Sequence, residues 1–377
     1  MSSLHEVTTE INKLQPDLLK QLEQETVELL EMNGNQEIRI MEFCGGHTHS
    51  LVQAGILSVL PKKIKMVHGP GCPVCVLPAT HLQAGIDLME KHSEVSLAVY
   101  GDVMRIPTLK NDSLLQAKGR GLDVRMIYSP LEIIKWAQLE PAKQFVFLAL
   151  GFETTSPATA LLIKQANKLD LKNVSVICLH VLTPPAVSVV MSTLPEDKKP
   201  QALIGPGHVS LVTGIDLFEQ IGQQYKVPVV VSGFEPSDLL SSLIQTIKAL
   251  KESTYGVINQ YSRALKNNTH FEAQKLLNDF FEIRESFHWR GLGEVANSAV
   301  KLKDEWSFYD AEKRFEIPRR EVPEHPQCQC GAILMGQKSP KDCRLFLKAC
   351  TPSHPLGSCM VSSEGACHAY HLAGDFI

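Results

Sequence analysis

The amino-acid sequence predicts an α/β fold built on parallel β-sheets, followed by a small C-terminal region of a different kind. Eight short, continuously apolar runs each end in Gly, Pro or a polar cluster; they are residues 38–43, 64–67, 95–100, 124–128, 145–150, 174–182, 202–204 and 227–231. Segments of helical character lie between most of these runs, for example 79–91 and 156–168. Continuous apolar strands that alternate with helices are typical of parallel sheets covered on both faces.

The order of the runs predicts how the chain divides into domains. Two sets of four runs predict two α/β domains with a boundary near residues 130–143. We expect the first domain over 1–135, beginning with a helix at 8–33, and the second over 136–285, with 237–285 mostly helical. Residues 286–327 are expected to be irregular and to open a C-terminal domain over 286–377.

Composition excludes several classes of function. The 377 residues are 44% hydrophobic and 21% charged, with a formal net charge of −4, which is ordinary for a globular protein. A net negative charge does not attract the phosphate backbone of a nucleic acid, so nucleic acid is not an expected partner. No run of ~18 apolar residues occurs, and Met1 is not followed by a basic and then an apolar segment. We therefore expect a cytoplasmic protein without a membrane partner.

Ten cysteines are the most informative part of the composition. In a reducing cytoplasm they are expected to be metal ligands, redox thiols or core residues. Cys178 stands alone in an apolar run and is expected to be a buried strand residue without chemistry. Six cysteines crowd the tail: Cys328, Cys330, Cys343, Cys350, Cys359 and Cys367.

The spacing of the tail cysteines favours an iron–sulfur cluster. Zinc sites prefer paired CxxC knuckles, and the tail contains none. Four thiolates from dispersed positions suit a [4Fe–4S] cluster, which leaves two cysteines that could form a redox pair beside it. The spacing alone does not choose four ligands from six.

Polar, glycine-rich motifs follow several of the apolar runs at once. They are Cys44-Gly-Gly-His-Thr-His, Gly69-Pro-Gly-Cys-Pro-Val-Cys, Gly151-Phe-Glu-Thr-Thr, Gly205-Pro-Gly-His-Val-Ser and Ser232-Gly-Phe-Glu-Pro. Open parallel sheets bind ligands at the carboxyl ends of their strands, so these motifs predict a cleft between the two domains with chemistry on both walls. Gly and Pro also simply end strands, but that does not explain the Cys, His and Glu.

The first two motifs bring together thiols and imidazoles. Cys72-Pro-Val-Cys75 can be a redox pair or half of a zinc site. Cys44 and His47 could bind a borderline metal such as iron, because the intervening glycines let backbone approach a ligand. For His49 we favour a structural or supporting role.

Two further residues have a functional and a structural interpretation. Glu153 could be an acid, a base or a hydrogen-bond acceptor, whereas the residues after it could simply begin a helix. His208 could take part in the site, although a hydrogen-bonded structural histidine is the safer interpretation. No Walker lysine or GxGxxG pattern supports a nucleotide site.

Together these motifs resemble the HypD family of hydrogenase maturation proteins. The resemblance rests on the motifs at Cys44, Gly69, Gly151 and Gly205, on Glu364-Gly-Ala-Cys and on the cysteine tail, and it runs from about residue 38 to 370. It implies two α/β domains flanking a cleft and a small cluster-bearing domain. It also implies a redox-active scaffold for cofactor assembly more than a turnover enzyme.

The resemblance implies roles for individual residues. Cys44 would bind the iron of a transient Fe(CN)2CO unit, with His47 close by, and Cys72 and Cys75 would be a redox pair across the cleft. Glu153, His208 and Glu364 are further candidates for the site. Cys328, Cys343, Cys350 and Cys367 would ligate the [4Fe–4S] cluster, with Cys330 and Cys359 as the extra pair.

The resemblance also implies partners. A HypC-type small chaperone would share the scaffold, a HypE-type protein would deliver cyanide, and the hydrogenase large subunit would receive the product. Two other classes stay open. One is a cluster-dependent thiol–disulfide oxidoreductase of the ferredoxin–thioredoxin reductase type. The other is a zinc-binding structural protein, which zinc without iron or sulfide would reveal.

Overall fold

Two parallel sheets form the centre of the fold. The computed structural model describes residues 16–266 and 270–374. The strands of the parallel sheets are β1 (Ile38–Glu42), β2 (Ile64–His68), β3 (Val95–Tyr100), β4 (Val124–Ile127), β5 (Gln144–Gly151), β6 (Val174–His180), β7 (Ala202–Pro206), β8 (Pro228–Ser232) and β9 (Gly256–Asn259). Two short antiparallel pairs follow, β10 (Phe281–Ile283) with β13 (Val300–Leu302) and β11 (Ser286–Trp289) with β12 (Gly293–Ala296).

Helices connect the strands. They are α1 (Pro16–Met32), α2 (Gly45–Gln53), α3 (Ile56–Val59), α4 (Pro73–Val76), α5 (Thr80–Lys91), α6 (Leu114–Gly119), α7 (Glu132–Leu139), α8 (Ser156–Lys168), α9 (Thr183–Thr193), α10 (Gly207–Thr213), α11 (Asp216–Tyr225), α12 (Pro236–Lys251), α13 (Phe271–Phe280), α14 (Ala311–Arg314), α15 (Cys330–Leu334) and α16 (Ala366–Ala373). Single 3₁₀ turns lie at Gly101–Val103, Leu109–Asn111, Glu196–Lys198, Asp304–Tyr309, Pro340–Asp342 and Ser358–Met360.

The strands do not pair in chain order. The five-stranded sheet has the order β2-β1-β7-β8-β9 and the four-stranded sheet the order β4-β3-β5-β6. The chain thus leaves the first sheet after β2, builds the whole second sheet, and returns to pair β7 with β1. Two segments cross between the sheets, one between β2 and β3 and one between β6 and β7.

The predicted α/β class is confirmed, and so are the eight predicted strands to within two residues at each end. The predicted grouping of the strands is wrong, because β3 and β4 share a sheet with β5 and β6 through the pairing of β3 with β5, rather than a sheet with β1 and β2. The predicted boundary near 130–143 falls inside the four-stranded sheet. Parallel pairing needs a crossover connection, and the length of that connection does not reveal which strand it leads to.

The predictions outside the strands have a mixed outcome. The expected helix at 8–33 is present as α1 (Pro16–Met32), and residues 8–15 lie outside the described part of the chain. The expectation that 237–285 is mostly helical missed β9, a short edge strand parallel to β8. Residues 286–327 are less irregular than expected, since they contain β11, β12 and β13.

The cysteine-rich tail packs against the two sheets. Helix α16 lies on α2, and the Ser358–Met360 turn lies on α4. One apolar core contains Leu148 of the four-stranded sheet, Trp289 of β11 and Cys359 of the tail, together with residues of α4. Among the described residues, no helix is long and apolar enough to cross a membrane.

Candidate functional site

Cys44 lies at the carboxyl end of β1, where the chain turns into α2. It is the residue before the helix, with extended backbone (φ −152°, ψ 121°), and it is 3% exposed. The backbone of the second motif lies directly against it: Gly45 N–H donates to the Gly71 carbonyl at 3.3 Å. A Cβ on Gly71 would overlap the backbone of Phe43 and Cys44, so only glycine allows this approach.

A buried hydrogen-bond network stabilises the turn at Cys44. The carboxylate of Glu42, 1% exposed, accepts from Cys44 N–H at 2.8 Å and from the Thr48 hydroxyl. His68 Nδ1 lies 2.7 Å from the same carboxylate, and its Nε2 lies 3.2 Å from the Tyr370 hydroxyl. Tyr370 belongs to α16, so this network connects the Cys44 turn with the helix that begins at Ala366 and Cys367.

Two imidazoles stand beside the Cys44 thiol. His208 Nε2 is 3.8 Å from Cys44 Sγ. The rings of His47 and His208 both stack on Phe234, with centroid distances of 4.6 and 4.8 Å. Burial lowers the pKa of His47 to about 3 and that of His208 to about 4, so both rings are neutral near pH 7.

His47 is an unsatisfied buried group. It is 0% exposed, and among the described residues neither ring nitrogen has a hydrogen-bond partner of good geometry, although the backbone of Ser232 and Gly233 lies nearby. Buried polar groups without a partner cost about 1–3 kcal/mol, so such a ring points to a ligand that pairs with it.

The surroundings of Cys44 disfavour a free thiolate. Burial raises the pKa of the thiol strongly, and the carboxylates of Glu364 and Glu42 raise it further. The side chain of Glu364 remains solvent-accessible. Burial by the surrounding protein nevertheless raises the pKa of its carboxyl, and the charge of Asp102 raises it further. A bound cation would instead lower the pKa of the Cys44 thiol, because its charge compensates those of the thiolate and of the carboxylates.

Cys72 and Cys75 form a disulfide at the start of the first crossing segment. Their Cα atoms are 5.2 Å apart, and the residues are 3% and 0% exposed. Cys72 Sγ accepts from Cys75 N–H at 3.2 Å, which caps the short helix α4. The pair follows Gly71, which lies against the Cys44 turn, and the helix α4 that carries it packs against β5 of the four-stranded sheet.

All six tail cysteines line one cavity. It has about 310 Å³ of empty volume, and its other walls are mostly apolar, including Ile333, Leu345 and Phe346. Cys330 and Cys359 form a disulfide with a Cα–Cα distance of 6.3 Å. The remaining four carry free thiols: Cys328, Cys343, Cys350 and Cys367.

The four free thiols are mutual neighbours in this cavity. Burial raises the pKa of Cys367, and the charges of the other three raise it further. Leu356 N–H donates to Cys350 Sγ at 3.3 Å. In the described part of the chain, no three His, Cys, Asp or Glu side chains converge on a single ion. A four-iron cluster does not need such convergence, because each thiolate binds a different iron.

Glu153 has a structural setting. It is 3% exposed, and its carboxylate accepts from the backbone N–H of Thr183 at 2.7 Å and from the Thr183 hydroxyl at 2.9 Å. Thr183 begins α9 on the second crossing segment. Burial raises the pKa of Glu153 to about 7. Cys178, as expected, is a buried residue of β6.

The structure thus brings Cys44, His47, His208 and Glu364 together, with the Cys72–Cys75 pair reached through Gly71, and it gives Glu153 hydrogen bonds to Thr183. His208 had been expected in the domain of Glu153, but β7 pairs with β1 and places it beside Cys44. Sequence reasoning missed His68, the last residue of β2, and Phe234, which lies in the motif after β8. It also missed Tyr370 and Asp102, for which the sequence offers no signal.

The chain is similar to known proteins over most of its length. The HypD family model, described as the hydrogenase formation hypA family, matches residues 17–374. Hydrogenase maturation factor HypD of Azotobacter vinelandii is 47% identical over 348 residues, 91% of each chain. HypD2 of Bradyrhizobium diazoefficiens is 45% identical over 351 residues, 92% of each chain, and HypD of Escherichia coli K12 is 39% identical over 342 residues, 91% of each. The chain belongs to the HypD family of hydrogenase maturation factors.

Proposed function

We propose that this protein is the scaffold on which the Fe(CN)2CO unit of a [NiFe]-hydrogenase is assembled, with Cys44 as its ligand to the iron. The observation that carries the proposal is the group of side chains at Cys44. A buried thiol and two neutral imidazoles lie together there, and within the described chain the ring nitrogens of one of them, His47, lack a hydrogen-bond partner of good geometry. Thiolate and neutral imidazole are ligands that suit iron.

The residues around the Cys44 thiol define what the scaffold does with the iron. The Glu42 network holds the Cys44 backbone in place, which presents the sulfur at the strand end. His47 and His208 can hold or pass a proton to groups on the iron, because each keeps a free lone pair near pH 7. Gly45 and Gly71 let the Glu364 backbone and the second motif pack directly against the Cys44 turn. We infer that a HypC-type chaperone contributes its own ligand to the iron.

The tail cavity fits a [4Fe–4S] cluster. Cys328, Cys343, Cys350 and Cys367 would hold it, since they are the free thiols around one apolar cavity. When bound, the cluster supplies single electrons to the thiol chemistry around it. The Cys350 sulfur accepts a backbone hydrogen bond, which is one of the features that tune such clusters.

The two disulfides fit a thiol relay toward Cys44. Cys330 and Cys359 line the cluster cavity, and the Ser358–Met360 turn packs against α4 with its Cys72–Cys75 pair. Two electrons and two protons can therefore pass from one pair to the other by thiol–disulfide exchange. We infer that a HypE-type protein delivers cyanide to the Cys44 site and that the hydrogenase large subunit receives the product.

The main alternative, a thiol–disulfide oxidoreductase acting on other proteins, needs an accessible CxxC. Cys72 and Cys75 are almost fully buried, so a partner disulfide could not reach them without movement of α4. Burial therefore favours exchange inside the protein.

The test is infrared spectroscopy on the protein purified anaerobically with its HypC-type partner. Cys44→Ala should remove the iron-bound CO and CN bands and leave the visible absorbance of the cluster unchanged. Cys178→Ala is the matched control, because it also removes a buried thiol next to a strand, but one in a different sheet. CO and CN bands of wild-type intensity in Cys44→Ala would place the iron elsewhere.

A further inference from the structure

A tight turn at residues 290–292, here named the Arg290 turn, contacts chain neighbours of both cysteine pairs. It joins β11 to β12 and is anchored by Trp289, which is 0% exposed and donates from Nε1 to the Ser298 hydroxyl at 2.8 Å. This anchor gives the turn a fixed position within the apolar core that contains both disulfides.

Three contacts connect the turn with the cysteine pairs. The backbone N–H of Arg290 donates to the carbonyl of Val76, the residue after Cys75, at 2.7 Å. Its guanidinium donates through Nη1 to the hydroxyl of Ser358, the residue before Cys359. Gly291 approaches Gly331, the residue after Cys330, so closely that a Cβ on Gly291 would lie 2.6 Å from the Gly331 Cα.

The guanidinium of Arg290 is unusually placed for a purely structural residue. The residue is 6% exposed, and its Nε donates to Glu324 at 2.7 Å. Removing an arginine from water carries a desolvation cost of several kcal/mol that one ion pair only partly offsets. Such a residue is expected where a planar group with several donors must fix two segments relative to each other.

We propose that Arg290 is a positioning residue for electron transfer between the two cysteine pairs, holding the Ser358–Met360 turn against the end of α4. The proposal rests on the thiol relay of the proposed function. In the step concerned, one thiol of reduced Cys330/Cys359 attacks a sulfur of the Cys72–Cys75 disulfide as a thiolate. The other thiol then attacks the mixed disulfide, which leaves Cys330–Cys359 oxidised and Cys72/Cys75 as two thiols.

Alignment of three sulfurs makes this exchange sensitive to small shifts. A misplacement of about 1 Å can slow a positioned reaction by about 10²-fold. Arg290→Gln keeps the backbone hydrogen bond to Val76 but loses the charge and the reach to Ser358. We therefore expect the exchange to slow at least tenfold, while the earlier reduction of Cys330–Cys359 changes less than twofold.

The experiment follows both pairs in the complete, cluster-loaded protein. Anaerobic protein is reduced with dithionite, quenched in acid at intervals and alkylated, and mass spectrometry measures the reduced fraction of each pair. In the wild type, thiols at Cys330 and Cys359 should appear before those at Cys72 and Cys75. Arg290→Gln should delay only the second step, and Arg290→Lys, which keeps the charge and one donor, should restore part of the rate.

Two further variants separate positioning from a folding defect. Ser358→Ala removes only the hydroxyl that Arg290 reaches, so it should slow the second step in the same direction. Arg314→Gln is the matched control, because the Arg314 guanidinium also joins separate segments, by donating to the backbone carbonyls of Val174 and Lys172, neither of which is a neighbour of a cysteine pair in the chain. It should leave both steps unchanged.

The outcomes distinguish this inference from the relay itself. Wild-type rates for both pairs in Arg290→Gln and Ser358→Ala would overturn the role of Arg290. Loss of cluster absorbance together with equal slowing of both steps would also overturn it, because Arg290 would then act on the cluster region as a whole. If the double variant Cys330→Ser, Cys359→Ser reduces Cys72–Cys75 at the wild-type rate, the relay fails, whatever Arg290 does.

Discussion

Replacement of Glu153 by glutamine is expected to change how stability depends on pH. The carboxyl of Glu153 is buried between β5 and α9, and burial raises its pKa to about 7, compared with 4.5 for a free side chain. Between these two values the folded protein keeps a proton that the unfolded chain has already released. The stability that this proton contributes is therefore complete below pH 4.5 and is lost as the pH rises toward 7.

The size of the effect follows from the two pKa values. One pKa unit corresponds to about 1.4 kcal/mol, so the wild type should lose about 2 to 3 kcal/mol of unfolding free energy between pH 5 and pH 8 through this group. Glu153→Gln cannot ionise, and its amide can still accept from Thr183 N–H. The free energy of unfolding of Glu153→Gln, relative to wild type, should therefore rise by about that amount between the two pH values.

Urea unfolding at pH 5 and pH 8 measures this difference. Glu132→Gln controls for the loss of a carboxylate acceptor near a helix start, because Glu132 also accepts two backbone hydrogen bonds, from Tyr128 and Ser129. Identical pH dependence in wild type and Glu153→Gln would refute the reasoning. A stable Glu153→Gln protein that no longer matures hydrogenase would instead indicate a direct role in the reaction.

Three further outcomes test the rest of the site. Cys343→Ala should lose the cluster colour and the order of the tail; unchanged iron and sulfide content would show that Cys343 is not a ligand. Cys72→Ser should keep the fold and the cluster but fail to support maturation, and normal hydrogenase activity in that strain would exclude the relay. Tyr370→Phe leaves His68 Nε2 without its partner and should lower the free energy of unfolding by about 1–2 kcal/mol, whereas an unchanged urea midpoint would show that this hydrogen bond contributes nothing.

The strands could be predicted because burial on both faces leaves a clear trace in the sequence. β5 and β6 are buried along almost their whole length, and their residues are almost entirely apolar. β9 was missed because it is an edge strand of four residues, only one of which is buried. An edge strand needs no continuous apolar run, so the sequence carries little signal for it.

The neighbours of each strand could not be predicted in the same way. Parallel strands adjacent in the chain need not be adjacent in a sheet, and here β7 returns to β1 after an excursion through the whole second sheet. This is why His208 was assigned to the wrong side of the molecule. The prediction of a site at the carboxyl ends of strands was still useful, because that rule does not depend on pairing order.

Long-range side-chain contacts were the hardest feature to predict from the sequence. The His68–Tyr370 hydrogen bond joins residues 302 positions apart, and neither residue type indicates which residue it will bond to. The cysteine tail shows a similar case. Spacing alone left every choice of four ligands open. Around the cavity, Cys330 and Cys359 form a disulfide and the other four cysteines carry free thiols, and the assignment of those four as cluster ligands stays a prediction.

The path of the chain explains why the two sheets need fixed points near Cys44. Each connection between the sheets begins at or beside a motif. The first begins at the Cys72–Cys75 pair, and the second begins at Thr183, which donates to the motif residue Glu153. A shift at either point would move the four-stranded sheet, and with it Asp102, relative to Cys44 and Glu364 on the other side. Glu153 fixes the start of the second connection through its two hydrogen bonds to Thr183, so we expect its loss to act on the position of the sheets.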